Sequence, residues 1–192
     1  MKNFVLKKPL SKNQLDDLTD GLVNAMRYSD SSVEYPSFDN AKPDEGVDPD
    51  KFLEVYNGDN DFSEMNAIYQ YISQEAMFED VGELMMGVAL TEMKHLDKLA
   101  DFIHKVGGET TGHWNNKDVS FGTSAKEAVE FAISAEKKTI AYYTNLKLEL
   151  LETEETETVR IALQLLSKLI ADEKVHLKLF TDMNKTLGGD NG

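Results

Sequence analysis

Apolar residues recur at helical spacing along most of this chain, and from residue 61 they do so in four long segments. The first covers about residues 61–78, and the second about 80–106, where Gly107-Gly108 ends it. The third starts after Thr123-Ser124, a capping signal with Glu127 three residues past Ser124, and runs to about residue 152. The fourth covers about 156–187 and stops at Gly188-Gly189. Short polar turns, "FEDVG" at 78–82 and "ETEETET" at 152–158, join the first pair and the second pair. The 107–124 connection, "GGETTGHWNNKDVSFGTS", is long enough to cross over along a bundle, and Trp114 within it is expected as a partly buried anchor. Two antiparallel hairpins with one long crossover predict an all-α four-helix bundle over 61–187.

The preceding residues read differently. Leu15, Leu18, Leu22 and Met26 predict a helix over 11–27 with Ser11 as its N-cap. Residues 28–50 have no helical period and contain three prolines, which predicts an extended linker over the surface. A short helix is expected near Phe52–Tyr56, broken by "NGDND" at 57–61. The chain thus divides into an N-terminal extension (1–60), a bundle (61–187) and a tail (188–192).

Acidic residues interrupt the apolar stripes at matching places. The second bundle helix carries Met85, Val88, Glu92, His95, Leu99 and Ile103 on one stripe, and the fourth carries Ala162, Leu165, Leu169, Glu173, His176 and Phe180. On the third the stripe is Val129, Ala132, Glu136, Ile140, Tyr143, and on the first Glu64 is expected to share a stripe with Ile68 and Ile72. One Glu-x-x-His is unremarkable; two of the chain's four histidines showing it on core-facing stripes is not. Glu64 and Glu92 share a level only if the chain turns near residue 78, and Glu136 and Glu173 only if it turns near 154–155. Both points fall on the predicted turns.

Four glutamates in a helical core cannot all stay ionised uncompensated. Two divalent metals would supply four positive charges against four carboxylates and two neutral imidazoles. Glu92 and Glu173 are placed to bridge, Glu64 and Glu136 to act as terminal carboxylates, and His95 and His176 to give one nitrogen to each metal. Mixed oxygen and imidazole donors suit iron or manganese. A purely structural polar core is the weaker explanation, because charged side chains are rarely fully buried.

Composition narrows the partners. Thirty-five acidic against 20 basic residues give a formal charge of −15, and no Lys/Arg cluster stands against it, so neither nucleic acid nor an anionic membrane is an expected partner. The absence of cysteine excludes disulfides, iron–sulfur clusters, rubredoxin-type sites and thiol nucleophiles. With no signal peptide and no apolar run of spanning length, a soluble cytoplasmic protein is expected.

This pattern, a Glu from each of two helices and Glu-x-x-His from each of the other two, resembles the ferritin-like di-iron and di-manganese carboxylate proteins, which have the same layout in general descriptions of helix bundles. "SEMNAIYQY" (63–71) resembles the first-helix segment of bacterioferritins, with Glu64 followed seven residues later by Tyr71. "TEMKHLDKL" (91–99), "SAEKKTIAYY" (134–143) and "ADEKVHLKL" (171–179) resemble their second, third and fourth helices. The resemblance covers about 61–187 and leaves the first 60 residues without a counterpart. Against rubrerythrins, the chain lacks the cysteines of a rubredoxin module and has Thr139 where they carry an additional glutamate.

The resemblance implies a ferritin-like bundle with two iron ions, or alternatively two manganese ions, reacting with O2 or H2O2. A ferroxidase or peroxidase is the leading expectation, with a manganese catalase or iron binding and storage in an oligomer as alternatives. Bacterioferritin cages have a short fifth helix, so a homodimer is expected here rather than a cage. Met93 lies where bacterioferritins place a haem-ligating methionine, but interface packing is its expected role. Tyr71 and Tyr143 are expected to hydrogen-bond ligand carboxylates. His104 is expected to meet a helix C-terminus and His113 to be a plain loop residue.

Overall fold

The computed structural model describes residues 11–12, 28–110, 114, 117 and 119–188. Leu15, Leu18, Leu22, Met26 and His113, and so all of the helix expected over 11–27 past residue 12, lie outside the described residues. Among those described there are five α-helices and no strand: α1 (Pro49–Asn57), α2 (Glu64–Met77), α3 (Gly82–Lys105), α4 (Ala125–Leu151) and α5 (Glu157–Gly188). A 3-10 turn, Glu79–Val81, joins α2 to α3 where the turn is predicted. The two hairpins are α2/α3 and α4/α5, with the long crossover between them, so the architecture is the all-α bundle of the sequence analysis. None of these helices is long and apolar enough to cross a membrane.

The helix ends follow local chemistry. Asp48 caps α1 by accepting from the Asp50 backbone N–H, with Pro49 in the first turn, where its missing N–H costs nothing. At the end of α3, Gly107 takes φ 89°, its N–H reaches the His104 carbonyl and the Gly108 N–H reaches that of Ile103, a Schellman closure. Ser124 Oγ accepts from Glu127 N–H at 3.2 Å, while the Glu127 carboxylate accepts from the Thr123 backbone N–H and hydroxyl. Replacing Ser124 by alanine is expected to cost about 1 kcal/mol. That should appear as a fall in melting temperature of roughly 2–4 °C by circular dichroism.

One correction and one addition bear on the site. The buried residues of α2 are Glu64, Asn66, Gln70, Tyr71 and Gln74, and Ile72 is 36% exposed, so Glu64 does not share an inward stripe with Ile72. This face is largely polar because it receives the crossover: Gln74 Nε2 donates to the Phe121 carbonyl at 3.0 Å. Hydropathy therefore points the wrong side of α2 inward. Residues 28–50 lie over the bundle and are pinned to it at a few points. Ala41 and Val47 are buried, and Phe38 and Phe52 pack their rings on Phe102 of α3 at 5.5 and 4.9 Å between centroids. Thr158, at the start of α5, accepts from the Lys42 N–H and donates to Glu45.

The core has two apolar clusters. One gathers Phe52, Phe102, Tyr143, Leu165 and Leu169; the other gathers Tyr71, Met85, Val88, Val129 and Phe180. The predicted site residues lie between the two along the bundle.

Candidate metal centre

All six predicted ligands come together. Glu64, Glu92, His95, Glu136, Glu173 and His176 are each at most 2% exposed. Their donor atoms form two overlapping groups, Glu64–Glu92–His95–Glu173 and Glu92–Glu136–Glu173–His176, with the atoms of each group within 4.8 Å of one another. Glu92 and Glu173 belong to both, as bridging ligands must. His95 Nδ1 lies 2.7 Å from Glu92 and 3.2 Å from Glu173, and His176 Nδ1 lies 3.0 Å from each. Glu92 Oε2, Glu173 Oε1 and His95 Nδ1 are buried without a hydrogen bond of proper geometry, so each points a lone pair or proton into the centre. Buried polar atoms left this way call for an ion or proton in the middle, and the donor set suits divalent iron or manganese.

The two hairpins contribute matching parts. Each terminal glutamate is followed seven residues later by a tyrosine, Glu64 by Tyr71 and Glu136 by Tyr143. The hydrogen bonds then cross between hairpins: Tyr71 donates to Glu136 at 2.6 Å, and Tyr143 donates to Glu64. Burial, then the neighbouring carboxylates, push both phenols well above their ordinary pKa, so they act as fixed donors.

The electrostatics divide the carboxylates into two kinds. Burial, followed by the charge of Glu92, raises Glu64 well above the usual range; burial, followed by Glu173, does the same to Glu136. For Glu92, burial and Glu173 also push upward, but the imidazoles of His176 and His95 outweigh them and its pKa falls. Burial opposes ionisation of Glu173 too, and again His95 and His176 win. Burial disfavours a charged His95, yet Tyr35, Glu64, Glu173 and Glu92 hold it well above the ordinary histidine value. His176 is raised against burial by Glu92, Glu173 and Glu136. Burial thus favours the neutral acid at Glu64 and Glu136, while the imidazoles favour the carboxylate at Glu92 and Glu173. Two divalent ions would balance four carboxylates.

Sequence reasoning missed the residues that hold the histidines. Asp172, fully buried beside Glu173, accepts from His95 Nε2 at 3.2 Å. Burial raises its pKa, but His95 and Lys168 bring it below the ordinary value. Lys168, also buried, donates to Asp172 at 2.9 Å and to the Asp30 carbonyl and Ser29 Oγ, both at 2.8 Å. Asp172 accepts further from Ser29 Oγ and the Asp30 N–H. The Tyr28 carbonyl sits 2.8 Å from His176 Nε2 and accepts its proton. In sequence only the spacing of Lys168 and Asp172, a salt-bridge interval on a helix otherwise apolar there, points to this network.

The remaining candidates lie outside the cluster. Met93 is 37% exposed on the outer side of α3. His104, in the last turn of α3, bonds Thr110 Oγ1 at 3.0 Å. Trp114 is 42% exposed, yet its Nε1 donates to Asn66 at 2.8 Å and its ring meets Tyr69 edge-on. Thr139 is buried and donates to the Phe62 and Ala135 carbonyls, so this position closes the entry to α2.

Comparison with known proteins agrees with this geometry. The model of the family described as "Ferritin-like domain" matches residues 63–187. A bacterioferritin of Desulfovibrio desulfuricans is 30% identical over 146 residues, which are 72% of this chain and 78% of that protein. The chain belongs to the ferritin-like family.

Proposed function

We propose that this protein is a dinuclear iron oxidoreductase that reacts with dioxygen or hydrogen peroxide, with Glu64, Glu92, His95, Glu136, Glu173 and His176 as its ligands. The observation that carries the proposal is the pair of overlapping donor groups sharing Glu92 and Glu173. In this reading those two bridge, Glu64 and His95 complete one ion's shell, and Glu136 and His176 complete the other's. The name of the Desulfovibrio relative favours iron over manganese. When bound, two ferrous ions supply one electron each, which with two protons take hydrogen peroxide to two waters. The protein's part is to hold and exclude. Tyr71 and Tyr143 keep the terminal carboxylates aimed at the centre, and the apolar clusters on either side keep bulk water out. In the absence of cysteine, electrons for repeated turnover come from an external donor.

The test is anaerobic loading with ferrous iron, followed by peroxide or oxygen. The expected result is two ions per chain and oxidation faster than iron in buffer. Failure to bind a second ion, or oxidation no faster than buffer, contradicts the proposal. Manganese in protein from the native source, with catalase activity, replaces it by a manganese catalase. Light scattering is expected to give a homodimer; a cage shifts the role to iron storage.

A further inference from the structure

The two halves of the centre correspond residue by residue except at one position. Glu64 matches Glu136, Tyr71 matches Tyr143, Glu92 matches Glu173 and His95 matches His176. The residue preceding Glu173 is Asp172, and it accepts the Nε2 proton of His95 from the opposite hairpin. The residue preceding Glu92 is Thr91, which offers no carboxylate to His176. In that place stands the Tyr28 carbonyl, 2.8 Å from His176 Nε2 and 3.4 Å from Thr91 Oγ1.

We infer that the N-terminal segment Tyr28–Asp30 is a positioning element of the metal centre, its Tyr28 carbonyl replacing the helix-borne carboxylate missing at Thr91. A carbonyl only accepts, so it fixes the Nε2 proton of His176 and turns Nδ1, 3.0 Å from Glu92 and Glu173, toward the metal position. A carbonyl also brings no charge, so the His176 side is held by a neutral acceptor and the His95 side by an ionised one. Three features seat the segment. Lys168 clips Ser29 and Asp30, and Asp172 accepts from both. The third is Gly87: a Cβ there would lie 2.0 Å from the Tyr28 ring, so the ring rests against α3 in the place a side chain at 87 would take. A glycine inside a 24-residue helix is otherwise costly to helix stability.

This inference rests on the six residues binding two metals, and the test separates the two claims. Gly87→Leu fills the space of the Tyr28 ring while favouring the helix and leaving every ligand intact. Cobalt(II) titration, read by its visible absorption, is expected to give two ions in the wild type. In Gly87→Leu one of them is expected to weaken by roughly 10–100-fold. Adding Thr91→Asp supplies the missing carboxylate and is expected to restore that ion. In metal-free protein, NMR is expected to detect a slowly exchanging His176 Nε2 proton, lost in Gly87→Leu and regained in the double variant. Wild-type behaviour of Gly87→Leu in both measurements overturns the inference, and so does a loss that Thr91→Asp fails to recover. Should the wild type bind no pair of ions, the dinuclear proposal falls, while the NMR arm still decides the role of Tyr28.

Discussion

Glu92→Ala and Glu173→Ala proteins are expected to lose both metals together, with apparent affinity for the pair falling by more than about 100-fold. That limit is set by what removing an outer partner alone costs, roughly 10–100-fold. Each residue belongs to both donor groups, so its removal opens both coordination shells. Glu136→Gln makes a contrasting case, because Glu136 belongs to one group only and burial, followed by Glu173, raises its pKa well above the usual range. An amide of the same shape leaves the metal-free fold nearly unchanged and weakens one ion, the one served by His176. Elemental analysis after dialysis, beside a melting curve of the metal-free form, distinguishes the cases. If Glu92→Ala kept one ion at wild-type affinity, the bridging role would be wrong.

The second large effect is on stability, and it changes with pH. Saturation with ferrous or manganous ion at 100 to 1,000 times its dissociation constant is expected to add about 3–4 kcal/mol, which for a chain of this size raises the melting temperature by roughly 6–16 °C. The pKa of His95 and of His176 is raised in the fold, so their contribution to metal-free stability is complete below about pH 6.5 and is lost as pH rises through the folded values. Glu64 and Glu136 have the same sign, starting from the ordinary glutamate range near pH 4.3. Glu92 and Glu173, depressed by the imidazoles, act oppositely and lose their contribution as pH falls. The metal-free protein is therefore most stable in mild acid and weakens toward alkaline pH. Metal binding releases protons, because the carboxylates and imidazoles must be deprotonated to ligate, so its affinity climbs over the same range. The melting gain on adding metal should widen between pH 6 and 8, and a gain flat with pH would contradict this account.

What could be read from the sequence depended on what surrounds each residue in its own helix. Glu92 and His95 stand out because Met85, Val88, Leu99 and Ile103 flank them, and the same holds for Glu173 and His176 between Leu169 and Phe180. For Glu64 the stripe shared with Ile68 and Ile72 is a poor guide, since the inward face of its helix carries Tyr71 and Gln74 while Ile72 is 36% exposed; its level with Glu92 across the turn near residue 78 is the sounder sign. Asp172 escaped notice because a residue next to a ligand falls about 100° off the stripe. In a four-helix core that direction still meets a neighbour. The Tyr28 contact is made by a backbone carbonyl, which any residue type could supply, so no pattern of side chains announces it. Its trace was Gly87, a small residue in the middle of a long helix.

The crossed tyrosines carry a consequence for how the protein assembles. Each helical hairpin has short-range contacts and can form early, but neither can satisfy its own terminal glutamate, since Tyr143 serves Glu64 and Tyr71 serves Glu136. Until the hairpins dock, these carboxylates stay in water and docking must strip them of it. The docking step is thus the barrier at which protons or metal ions are consumed. Refolding should accelerate with added metal or with mild acid, whereas formation of the separate hairpins should be indifferent to both.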